Sequence, residues 1–171
     1  MKQKNADLIF CALFTAVIAV CAQIVIPTPF FPITMQVFAI ALCGYTMGVK
    51  NSAYSVTAYL LLGILGAPIF SGFCGGFHHV TDPSGGFVVG FLPFVLICGA
   101  SANSNSVLRK ILFGVIGLVV MYIFGLVYFC YSTGTGVFSP AIFLFIGTFI
   151  KDFVSTLLAI YISKIIRKRM N

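Results

Sequence analysis

Positive charge in this chain is confined almost wholly to every second break between its apolar runs. Lys2 and Lys4 precede the first run, Lys50 lies between the second and third, Arg109 and Lys110 between the fourth and fifth, and Lys164, Arg167, Lys168 and Arg169 close the last. That is nine of the 10 Lys and Arg residues. Membrane helices are oriented by such one-sidedness, because basic residues stay on the cytoplasmic side. The chain therefore reads as six spans with both termini cytoplasmic. Composition points the same way: 60 % of the 171 residues are hydrophobic and 8 % charged, where soluble domains are charged at about a quarter of positions. The net charge of +7 thus reports topology and not a nucleic-acid surface.

Inside hydrocarbon each backbone N–H and C=O must be paired within the structure, so spanning segments of this length are helices. The expected fold is an all-α, polytopic membrane protein with a single integral membrane domain over residues 1–171. The spans fall at 9–26, 35–48, 53–65, 87–100, 111–131 and 140–166. Pro27 and Pro29 stop the first, Lys50 and Asn51 mark a tight turn after the second, and residues 131–137 form a small-residue turn before the last. One helix over 140–166 would be about 40 Å long, so it either tilts strongly or breaks at Gly147-Thr148 with Thr148 as N-cap. Ala12, Ala16 and Ala19 recur at helical spacing beside Ala22, a ridge that admits close approach by another helix or packs inside the chain's own bundle.

Between the third and fourth spans, in the stretch 59–91, lies a glycine-rich segment that opens to the outer side on this topology. Gly66, Gly72, Gly75, Gly76, Gly85 and Gly86 leave room for close backbone approach. His78, His79, Thr81, Asp82 and Ser84 place polar groups among them, the usual make-up of a small-molecule site; a plain inter-helix loop is the alternative. Lys151 is the one basic residue that the charge rule leaves over, and an ionisable group within or bordering a span marks a functional position. Its helical neighbour Asp152 points about 100° away, whereas Thr148 shares its face. The six cysteines include no Cys-x-x-Cys pair and read as small packing residues. Cys74 with His78 and His79 makes too sparse a set for a metal, and no metal is expected. No hydrolase, zinc or nucleotide-binding motif is present in the sequence, so an ATP-driven transporter would need a separate motor.

Four segments carry a resemblance. P-I-T-M-Q at 32–36, Y-L-L-L-G-I-L-G-A-P-I-F at 59–70, the glycine cluster, and P-S-G-G-F at 83–87 resemble, in order and spacing, the BioY family of biotin transporters. The family forms are P-V-T-L-Q, Y-L-L-L-G-x-x-G-x-P-V-F and G-P-T-G-G-Y. The resemblance implies the substrate-binding S component of an energy-coupling factor transporter in the bacterial cell (inner) membrane, taking up biotin from outside. Its partners would be a transmembrane coupling protein and two ATPase subunits, with ATP used only by those partners and no cofactor of its own. It implies substrate contacts at Gln36, Gly75, Gly76, Ser84, Gly85, Gly86, Phe87, Thr148 and Lys151, and docking of the coupling protein on Ala12 and Ala16, which resemble an Ala-x-x-x-Ala element. The chain departs from the family where Pro-Gly-Asp-x-x-Lys becomes I-G-T-F-I-K at 146–151, and where Asp82, Ser84 and Phe87 replace Gly, Thr and Tyr. The competing readings are an S component for another vitamin, an intramembrane enzyme using His78, His79 and Asp82, and a membrane scaffold that binds nothing.

Overall fold

A computed structural model describes residues 2–28, 32–134 and 141–170. The protein is helical throughout its apolar runs: α1 is Lys2–Gln23, α2 Gln36–Ile64, α3 His78–Thr81, α4 Gly85–Ala100, α5 Val107–Thr133 and α6 Ala141–Met170. The only regular pairing among the described residues besides these is a two-stranded antiparallel ladder, β1 Val25–Ile26 against β2 Ile33–Thr34. Residues Asn5–Gln23, Val107–Thr133 and Leu144–Arg169 are long and apolar enough to cross a membrane, and α4 is a shorter apolar helix. The protein is a multi-pass, all-α membrane protein, as the apolar runs required.

The second and third expected spans prove to be one element folded on itself. At Gly48 the backbone of α2 takes φ 75° and ψ −179°, a conformation that costs a glycine little and any L side chain much. The arms 36–47 and 49–64 then run antiparallel, so that Gln36 and Tyr59, near opposite ends of the element, meet through a 2.6 Å hydrogen bond. The turn therefore lies at Gly48. Lys50 and Asn51, expected to form it, are already helical in the second arm.

Of the two alternatives for the last span, the unbroken helix is the one found: α6 does not break at Gly147-Thr148. The Thr148 hydroxyl donates 2.6 Å to the Leu144 carbonyl one turn earlier, which is the mid-helix use of a threonine and not an N-cap. At 30 residues the helix is about 45 Å long, and its charged last turn projects beyond the apolar stretch. The turn expected over 131–137 closes α5 at Gly134 (φ 65°); its remainder, with Pro140 and likewise Pro29, lies outside the described residues.

Helix packing uses small residues where two backbones meet. A Cβ on Gly44 would stand 2.9 Å from Cys98 Cβ, and one on Gly99 2.9 Å from the Val49 nitrogen, so α2 and α4 are in near-backbone contact. In a bilayer such close van der Waals contact is a main source of helix association. Around it Ile40, Tyr45, Val56, Tyr59, Phe94, Val95, Leu118 and Met121 are fully buried.

Three contacts tie the basic breaks together at one end of the bundle. The Cys11 thiol donates to the Asn51 carbonyl at 3.3 Å, the Tyr45 hydroxyl to the Lys110 carbonyl at 3.0 Å, and the Arg167 guanidinium to the Ala102 carbonyl and, at 2.7 Å, to Asn103 Oδ1. The ladder, a 3-10 turn at Ser71–Phe73 and α3 gather at the other end. There Gln36, His79, Thr148 and Asp152 are buried polar groups.

A candidate substrate site between α2, α4 and α6

The β1–β2 ladder delivers Thr34 and Gln36 to the start of α2. The Thr34 hydroxyl donates 2.8 Å to Gln36 Oε1, and Gln36 Nε2 donates 2.6 Å to the Tyr59 hydroxyl, which donates 3.2 Å to the Ile69 carbonyl. A buried amide is thereby fixed on both its donor and acceptor sides, so its orientation is set by the chain. Gln23 repeats the device from α1, donating 3.0 Å to the Phe70 carbonyl and accepting 2.8 Å from the Phe73 N–H. Phe70, fully buried, meets Tyr59 edge-on at 5.5 Å and stacks on His79 at 5.0 Å. These bonds hold the segment between α2 and α4 against the bundle.

From the opposite side α6 presents Thr148, Lys151 and Asp152. The Lys151 ammonium donates to the Thr34 carbonyl and lies 2.6 Å from Asp152 Oδ1. Asp152 Oδ2 accepts from the Tyr122 hydroxyl of α5 at 2.7 Å. The expectation that Lys151 and Asp152 would not meet is thus overturned. Their Cβ atoms diverge around the helix, but the four-carbon lysine stem bends back far enough to bring its ammonium beside the carboxylate. Aromatic rings complete the wall: Phe87 meets Tyr122 edge-on at 5.3 Å, and outside the cavity Phe149 backs Tyr122 at 5.2 Å.

These elements enclose a cavity of about 50 Å³ whose lining includes Thr34, Gln36, His79, Ser84, Phe87, Tyr122, Thr148, Lys151 and Asp152. Five residues picked from the sequence, Gln36, Ser84, Phe87, Thr148 and Lys151, therefore come together although they span more than a hundred positions. The four glycines do not form the wall. The Gly76 N–H donates 2.7 Å to the Gly63 carbonyl, and a Cβ on Gly75 would lie 2.2 Å from the Ala67 oxygen. On Gly85 it would lie 1.8 Å from the Val80 oxygen, and on Gly86 2.4 Å from the Phe124 oxygen. Gly75 and Gly76 seat the loop on the end of α2, Gly85 seats α3 on α4 and Gly86 seats α4 on α5, and so they shape the site through the backbone. Sequence reasoning missed Tyr122 and Asp152. The signal for Asp152 was present, a carboxylate inside an apolar run, and the 100° rule for adjacent residues concealed it.

With this geometry in view, comparison with known proteins is informative. The BioY family model matches residues 1–171. The chain belongs to the BioY family. It is 34 % identical over 165 residues to the probable biotin transporter BioY of Pyrococcus horikoshii, covering 96 % of each chain. It is 38 % identical over 120 residues to the biotin transporter BioY of Thermotoga maritima, covering 70 % of this chain and 71 % of that one. The crystal structure of the S component for biotin from an ECF-type ABC transporter shares its fold with a TM-score of 0.90 at 24 % identity, covering 98 % of this chain and 93 % of that one.

One property of this BioY chain lies in α3. His79 is 8 % exposed, and its Nδ1 sits 3.6 Å from Asp82 Oδ2, while His78 Nε2 sits 3.3 Å from Asp82 Oδ1. Burial lowers the His79 pKa from its ordinary value, and the Asp82 charge only partly offsets this. A histidine whose folded pKa is lowered supports the fold fully above its unfolded value, about 6.5, and that support is lost as pH falls from there toward the folded value. Melting temperature should therefore drop between pH 7.5 and 5.5, and His79→Phe, which keeps the ring stack on Phe70, should flatten that drop. An unchanged slope in the variant would show that His79 is not the source of the acid sensitivity.

Proposed function

We propose that this BioY-family protein binds biotin and brings it across the membrane as the S component of an energy-coupling factor transporter. The observation that carries the reading is that residues from three family-like segments, Gln36 after β2, Ser84 and Phe87 at the start of α4, and Lys151 on α6, line one cavity. Its chemistry suits the ligand. Biotin has a compact bicyclic ring for an aromatic wall, a ureido edge of donors and acceptors, and an anionic valerate. At about 50 Å³ the cavity is well below the roughly 300 Å³ of an ordinary ligand site, so binding requires its walls to part. The test is equilibrium binding of labelled biotin to the purified chain in nanodiscs, with thiamine and riboflavin in parallel. Saturable binding of biotin alone is the expected result; saturable binding of either other vitamin, with none of biotin, would move the protein to a different substrate.

We further infer that the chain lies in a bacterial cell membrane with both termini cytoplasmic, and that it works with a transmembrane coupling protein and two ATPase subunits. Support for the orientation comes from the basic breaks, which the contacts of Cys11, Tyr45 and Arg167 bring to one end of the bundle. The cavity then opens to the outside. In a background without native cysteines, Ser104→Cys should be shielded from an impermeant maleimide in intact cells, and Gly134→Cys should be labelled. The reverse pattern inverts the topology.

A further inference from the structure

Resting on the biotin reading, we propose that Asp152 is a substrate-binding residue that accepts a hydrogen bond from a ureido N–H of biotin, while Lys151 donates to the adjoining ureido carbonyl. The pair would thus read the ring end of the ligand and not its carboxylate. Asp152 is 2 % exposed in the middle of α6 and lines the cavity. Its Oδ2 is occupied by the Tyr122 hydroxyl. Its Oδ1 carries the ion pair with Lys151 but receives no aligned hydrogen bond. A buried acceptor in that condition takes up a donor when one is supplied.

The ligand group that fits follows from the pair's chemistry. An ionised carboxylate only accepts hydrogen bonds and an ammonium only donates them, so side by side they present an acceptor next to a donor. A ureido or lactam edge, with N–H beside C=O, presents the complement. A ligand carboxylate fits poorly, since it would gain Lys151 at the expense of facing Asp152 with a second negative charge. In biotin the N–H groups belong to the ureido ring alone. Thr148, one turn before Asp152 on the same face, donates its hydroxyl back to the Leu144 carbonyl, so Asp152 is the ionisable acceptor of this wall.

The experiment compares biotin with biotinamide, which keeps the ring and lacks the anionic tail, on the parent and on Asp152→Asn in nanodiscs, with melting temperature as the folding control. Loss of a charge-assisted acceptor should lower affinity at least tenfold, and by the same factor for both ligands. If Asp152→Asn leaves both affinities unchanged, or raises that for biotin while sparing biotinamide, the proposal is overturned. The second of these outcomes would place the carboxylate beside Asp152. Should the variant not fold, Tyr122→Phe, which frees Asp152 to rotate, is expected to weaken both ligands about threefold and equally; no change overturns the proposal. A parent that binds neither ligand overturns the biotin reading itself, which separates that failure from failure of the Asp152 assignment.

Discussion

Lys151→Met should lower the affinity for biotin at least tenfold. The ammonium is the cationic donor that α6 places in the cavity wall, and loss of a charge-assisted hydrogen bond costs about 1.5–3 kcal/mol, on the order of ten- to a hundredfold in affinity. The same substitution strands Asp152, 2 % exposed, without the ammonium 2.6 Å away. Removing one partner of a buried pair destabilises more than removing both, so melting temperature should fall as well. The double variant Lys151→Met with Asp152→Asn separates the two effects. It should recover most of the stability and none of the binding. Parent-like binding by Lys151→Met would make the lysine a structural group and remove it from the site.

The second large effect concerns transport and not binding. On α1 the buried face is made by Cys11, Phe14, Thr15, Ile18 and Ala22, whereas Ala12 and Ala16 are exposed beside Leu8, Ile9 and Leu13. An exposed side chain can be enlarged with little overpacking of the bundle, so Ala12→Leu with Ala16→Leu should leave biotin binding and melting temperature close to those of the parent. If the coupling protein docks on this smooth strip, the bulk will hold its helices away. Co-purification with the coupling protein and ATP-dependent uptake should then be abolished. Normal assembly and uptake in the double variant would sink that docking assignment. A drop in thermal stability, by contrast, would mean that the strip packs within the chain, where overpacking costs about 1–3 kcal/mol.

Much of the architecture was legible from charge and hydropathy, because a bilayer leaves the backbone few solutions. The positions of the apolar runs, the alternation of basic breaks and the convergence of Gln36, Ser84, Phe87 and Lys151 all followed from local composition or short motifs. What escaped was set by long-range geometry. Nothing local announces that Tyr122, a tyrosine in an unbroken apolar helix, donates to a carboxylate 30 residues away. The Lys151–Asp152 contact depends on a lysine rotamer, which spacing on a helical wheel does not determine. The alanine ridge likewise divides: Ala12 and Ala16 face outward while Ala22 is fully buried, because the rotation of α1 against its neighbours is decided by tertiary packing. The choice between a tilted and a broken last helix was open in the sequence for a different reason. A single glycine in a helix is tolerated at about 1 kcal/mol, and the helix on both sides outweighs it.

The fold of α2 at Gly48 also sets the gearing of the cavity. Gln36 and Tyr59 stand near the tips of two arms joined at their far end by one residue with positive φ. Each arm is a stiff rod, about 18 Å from Gly48 to the tip at 1.5 Å per residue. A swing of only about 6° at the hinge displaces a tip by roughly 2 Å, which is the scale on which a hydrogen bond is made or lost. A pair of forceps works this way, with the grip set at the pivot and felt at the points. The spacing of Gln36, in the cavity wall, from Tyr59 is therefore sensitive to the backbone angle at Gly48, at the opposite end of the molecule beside Lys50.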